Sequence, residues 1–169
     1  MHEFVGSVEL RRQGVRGGDS ASNARSQAVL HGLRLAALCG NIWPADDDGL
    51  SQLVSEQIIT ELISFSINAR RFMEISGHKN LKAEGPLIRI SQNGYKYEND
   101  VWTAVNRVVH ADKIEVHYVT PVTRKFENLG DLVVANAMIT SPQRDTVSVC
   151  PEGLFIGFCQ SPQVGPANY

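Results

Sequence analysis

The chain has 169 residues, 43% of them hydrophobic and 20% charged, with a formal charge of −2, a balance ordinary for a globular protein with a sizeable core. Acids and bases mix along both halves without a basic run, so composition gives no case for broad, salt-driven nucleic-acid binding. Met1–Arg12 lacks the apolar stretch of a signal peptide, and no segment has the apolar length to span a bilayer.

A single domain over 1–169 in the cytoplasm is the expectation, with tails at 1–19 and 161–169. Cys39, Cys150 and Cys159 are an odd number without close spacing, which argues against a disulfide framework or a Cys-x-x-Cys metal site. Cys150 and Cys159 would face each other across a hairpin, but they read as buried thiols. No metal and no cofactor is expected.

In chain order, Phe4–Leu10 alternates like an edge strand. Arg11–Asp19 is rich in glycine and arginine. It reads as a flexible lead-in rather than a phosphate-cradling loop, because it lacks the Lys-Ser/Thr ending. Ser20–Cys39 reads as a first helix with a serine N-cap and Gly40 and Pro44 beyond it. Its face of Ala24, Ala28, His31, Gly32, Leu35 and Cys39 is dominated by small residues and predicts a tight helix pair. His31 on that face reads as a satisfied core or boundary residue. Asp46-Asp47-Asp48 has no further oxygen ligands at metal-loop spacing and reads as dipole-stabilising charge ahead of the next helix.

Leu50–Ser76 repeats apolar residues at three and four and ends at Gly77. At about 1.5 Å per residue it spans roughly 40 Å, so it is the expected spine. Ser64, Asn68 and Arg71 lie beside its apolar face, with His78 past the glycine. Arg70 and Glu74 are spaced for an i, i+4 pair. Pro86 excludes helix, and Leu87–Gln92, Asn93-Gly94 and Tyr95–Tyr97 predict a hairpin with cross-strand aromatics.

Asp100–Ala111 predicts a short helix feeding a strand at Lys113–Val119. Val101, Ala104, Val105 and Val108 form its apolar stripe, while Trp102, Asn106 and His110 form a second line at i, i+4 and i+8. Leu132–Thr140, Thr146–Cys150 and Leu154–Cys159 then read as further strands of an antiparallel meander over 113–160. The fold class is therefore α+β: an antiparallel helical hairpin core and a short third helix, with a C-terminal antiparallel β-meander.

Asn106-Arg107-Val108-Val109-His110-Ala111, with Asn68-Ala69-Arg70-Arg71 on the long helix, resembles the HEPN superfamily of helical nucleotide-binding and ribonuclease domains from prokaryotic defence systems. The match covers Ser20–Asp112 and leaves the strands unexplained. It implies a homodimer acting on RNA without metal, in a defence or toxin system. Its polar position falls on Asn106 and its histidine on His110. The family's arginine would fall on Val105, so Arg71 or Arg107 would have to supply the charge. His110 suits proton exchange near neutral pH, and arginine suits bidentate contact with a phosphate. Catalytic residues are thus expected at His110, Asn106, Arg107 and Arg71, with Asn68, His78 and Trp102 lining the substrate. The missing arginine supports a second reading, a non-catalytic module that binds a protein partner.

Overall fold

Helix α1 (Ala21–Cys39) begins at Ser20, whose hydroxyl accepts from the Asn23 N–H at 3.3 Å. The computed structural model describes residues 5–9, 20–44, 48–90, 96–119, 131–142 and 145–160. The glycine-rich Arg11–Asp19 segment and the Asn93-Gly94 turn lie outside them. So do Asp46 and Asp47, the turn from Pro121 and the tail from Ser161. Ala24, Ala28, Gly32, Leu35 and Cys39 of α1 are all buried, as the small-residue face requires.

After the short strand β2 (Trp43–Pro44), helix α2 (Asp48–Ser76) runs back along α1 to complete the helical hairpin. Val54, Ile58, Leu62, Phe65, Ala69 and Met73 line its buried side. The helix stops at Gly77, whose φ of 76° is left-handed and open to glycine at little cost. The helices pack on an antiparallel sheet assembled from both halves of the chain. β1 is Val5–Glu9, β3 Ile88–Ile90 and β4 Lys96–Glu98; β5 Lys113–Val119, β6 Asp131–Thr140 and β7 Val147–Val149 form the meander. The sheet order is β1-β5-β6-β7-β3-β4, with β2 on β6.

The edge strand expected near the start of the chain is β1: Val5 pairs with His117 and Glu9 with Lys113. The β3–β4 hairpin likewise joins the meander, Ile88 pairing with Val149. Ile114, Val116 and Tyr118 of β5 are buried, and the Tyr118 hydroxyl meets Ser55 Oγ of α2 at 2.8 Å. That hydrogen bond seats the spine on the sheet and satisfies two polar groups in the core.

Helix α3 (Val101–Val109) has Asp100 as its N-cap, accepting from the Thr103 N–H at 2.8 Å, and His110 as its C-cap. Its four stripe residues Val101, Ala104, Val105 and Val108 are fully buried. Asp112 then donates its backbone N–H to Thr140, so the helix passes directly into β5.

One element reverses the expectation. Leu154–Cys159 is not a strand but part of helix α4 (Pro151–Gln160). Pro151 occupies the first helical position, where a missing N–H costs nothing, and Cys150 caps it: its Sγ accepts from the Gly153 N–H at 3.3 Å. Leu154, Phe155 and Phe158 are buried at helical spacing, and Phe158 meets Phe65 edge to face at 5.5 Å. Cys150 and Cys159 consequently do not face each other across a hairpin. Cys150 is exposed rather than buried, and Cys159 is half-buried. α4 packs on α1 at Gly32, where the Phe155 ring lies against the glycine. Helices and sheet share one buried apolar cluster.

Candidate functional site

Helices α2 and α3 pack against each other, with Ala69 of one and Ala104 of the other fully buried, and side chains on their flank meet. On that flank Arg70 Nη1 donates to His110 Nε2 at 3.0 Å. A guanidinium can only donate, so Nε2 is the acceptor and the ring proton sits on Nδ1. On its other edge Arg70 Nε donates to Glu74 Oε1 at 3.0 Å. The i, i+4 pair expected from spacing is therefore present, and it also carries the arginine to the histidine.

Trp102, one helical line below His110, completes the cluster. The Arg70 guanidinium carbon lies 5.8 Å from its ring centroid and Lys79 Nζ lies 4.8 Å from it, both within cation–π range. Lys79 gets there because the left-handed turn at Gly77 reverses the chain, closed by the Lys79 N–H on the Gly77 carbonyl at 3.1 Å. The result is an arginine and a lysine, one carboxylate, one imidazole and one half-buried indole on one flank, with His110 exposed. Such a surface offers fixed donors to a phosphate and an aromatic face to a base.

The expected residues divide between this cluster and elsewhere. Trp102 and His110 belong to it. Asn106 lies between them, and its side-chain amide donates to the Trp102 carbonyl at 2.7 Å, one turn back along its own helix. Asn68 does the same to the Ser64 carbonyl at 2.8 Å. Such bonds make a mid-helix asparagine tolerable, and they direct both amides along the helix. His78 packs against Phe72, 6.2 Å between centroids. Arg107 is half-buried, its Nη1 enclosed without a hydrogen-bond partner among the described residues. Arg71 sits one residue, about 100° around α2, from the arginine that reaches His110. The arginine seen against His110 is Arg70, a residue the sequence reading paired only with Glu74, and Glu74 and Lys79 are further members of the cluster.

A second polar cluster lies between α1 and α2. Glu61 is 4% exposed, and it accepts from His31 Nδ1 at 2.7 Å and from Gln57 Nε2 at 2.9 Å, with Arg34 Nη1 3.9 Å away. His31 is therefore a satisfied boundary residue, as expected. Its partner thirty residues away was invisible in sequence.

Among the described residues no group of three or more His, Cys, Asp or Glu could hold a metal ion, and no helix is long and apolar enough to cross a membrane. A groove of about 120 Å³ lies between residues 83–87 and α4, lined by Ala83, Pro86, Leu87, Ile156 and Gly157. None of these belongs to the Arg70–His110 cluster. No family model matches the chain, and no curated protein or solved structure matches it.

Proposed function

We propose that the chain binds RNA at the Arg70–His110–Trp102 flank and cleaves it as a metal-independent, HEPN-like endoribonuclease, acting as a homodimer in a prokaryotic defence or toxin setting. The observation that carries this reading is the 3.0 Å contact between Arg70 Nη1 and His110 Nε2 beside a half-buried tryptophan. Arg70 and Lys79 hold the phosphate, and Trp102 takes a base by stacking. His110 Nε2 accepts the proton of a ribose 2′-hydroxyl whose oxygen bonds to phosphorus. The bond from phosphorus to the 5′-oxygen breaks and that oxygen takes up a proton, leaving a 2′,3′-cyclic phosphate and a 5′-hydroxyl. Among the described residues His110 is the imidazole of this cluster, so a second copy is the natural source of the proton that the leaving oxygen needs.

The test is cleavage of single-stranded RNA in excess EDTA. His110→Ala should lower the rate by about 10²–10⁴-fold while leaving the far-ultraviolet dichroism unchanged. Arg70→Ala and Lys79→Ala should weaken binding and flatten its salt dependence, the logarithmic slope falling by about 0.7 for each phosphate no longer neutralised. Uncut RNA with the wild-type dimer would end the catalytic part of the proposal.

The second reading, a non-catalytic protein-interaction module in the cytoplasm, rests on α1: Leu30 and Leu33 stand exposed on the side away from the core. It predicts a protein partner that no longer binds after Leu33→Asp while RNA binding is unaffected.

A further inference from the structure

We infer that Arg70 is an anion-operated cap on His110, held closed by Glu74. The inference rests on the reading that this flank meets a phosphodiester; Arg70 is the group that passes from histidine to phosphate, and Glu74 is the residue that positions Arg70.

The geometry holds a contradiction that only movement resolves. A base must offer a lone pair, and the Nε2 lone pair of His110 is taken by the Arg70 Nη1–H at 3.0 Å. The same guanidinium is gripped at Nε by Glu74 at 3.0 Å. Arg70 is thus stretched between a carboxylate and an imidazole, and it covers the ring nitrogen the reaction requires. An imidazolium has no lone pair to accept with, so this contact and the protonated ring exclude each other.

A phosphate oxygen is a stronger acceptor for guanidinium than a neutral imidazole, and it can take two N–H groups at once. When phosphate arrives at Arg70, the cheapest bond to break is the one to His110, which loses a neutral acceptor and gains an ionic one. Glu74 opposes this, because its charge already satisfies one edge of the fork. Lys79, the other cation of the cluster, lies over Trp102 and adds to the pull on the anion. The histidine is therefore occupied in the resting molecule and released where substrate is bound, which protects the ring until it is needed.

Diethyl pyrocarbonate acylates an imidazole through its unprotonated nitrogen, so its rate at the His110 peptide, read by mass spectrometry at fixed pH, measures the cap. Inorganic phosphate serves as the anion. In the wild-type chain His110 should react slowly, and millimolar phosphate should accelerate it severalfold while His78 and His117 stay unchanged. Arg70→Gln should raise the rate by about tenfold or more, the counterpart of removing one charge-assisted hydrogen bond, and abolish the phosphate response. Glu74→Gln should give intermediate acceleration and a response at lower phosphate. A wild-type rate indifferent to phosphate, or a phosphate response that survives Arg70→Gln, overturns the cap. Failure to bind or cut RNA with the phosphate response intact overturns the ribonuclease reading instead, so the two fail separately.

Discussion

Replacing Gly32 by alanine tests how α1, α2 and α4 close on one another. A Cβ at position 32 would lie 2.0 Å from Phe155 Cδ2, 2.4 Å from Cε2 and 2.7 Å from Cγ. Carbon atoms rest at about 3.5 Å, so the ring must retreat by about 1.5 Å. Its retreat is obstructed, because Phe155 is buried and meets Phe65 edge to face at 6.0 Å. Overpacking of this kind costs about 1–3 kcal/mol, and the depth of the overlap places Gly32→Ala at the upper end. Alanine returns about 1 kcal/mol through helix propensity. The net expectation is a loss of about 2 kcal/mol, which lowers the urea midpoint by about 1 M at a slope of about 2 kcal/mol per M. Phe155→Leu in the same chain should recover about 1 kcal/mol of that loss as a coupling term. A Gly32→Ala variant as stable as the wild type, or more stable, would refute the crossing, since helix propensity would then be the whole effect.

Three further outcomes follow from the core and its margins. Burial in apolar surroundings, followed by the charges of Glu152 and Cys150, pushes the Cys39 thiol from an ordinary 9.0 up to about 12. The folded chain therefore holds this proton where the unfolded chain releases it: the stability is complete below pH 9 and falls as pH rises from 9 towards 12. Urea titrations across that window should show the fall and Cys39→Ala should lessen it, the Tyr118 hydroxyl and the Cys159 thiol, also raised by burial, supplying the rest. A thiol reagent at pH 8 should label Cys150 first and Cys39 only on unfolding. Glu61→Ala leaves the half-buried His31 ring without its carboxylate, and should cost about 2 kcal/mol, discounted from the 3–5 of a fully buried pair because His31 is partly open to water; calorimetry checks it. Gly77→Ala meets no atom within 4 Å but forces alanine to φ 76°, so it should cost about 1 kcal/mol and lessen the burial of Trp102, read from its fluorescence, as Lys79 moves off.

The helical hairpin was legible because its signals agree. Ser20 and Gly77 punctuate runs whose buried positions recur at three and four residues, and each local preference matches the final packing. α3 and β5 were equally clear, since one stripe of four residues sets a helix and the next seven alternate. α4 was not. Leu154-Phe155-Ile156-Gly157-Phe158 is short, β-prone and interrupted by glycine, and an apolar run of that length fits strand or helix until its packing against Phe65 decides. The candidate site was half legible. His110 and Trp102 share a helix, so spacing alone puts them on one line. Arg70 comes from another helix, and its neighbour Glu74 accounted for it locally. Only the packing of α2 against α3 reveals that it touches the histidine.

The strand at residues 5–9 pairs with residues 113–117, and that wide separation has a kinetic consequence. β1 can pair only once the distant β5 is in place, whereas the two long helices assemble from neighbouring residues. Folding rates fall as contacting segments lie farther apart along the chain, so closure of this outer strand is the expected slow step. Until it closes, the flank of β5 is an open template on which another molecule can dock its own strand.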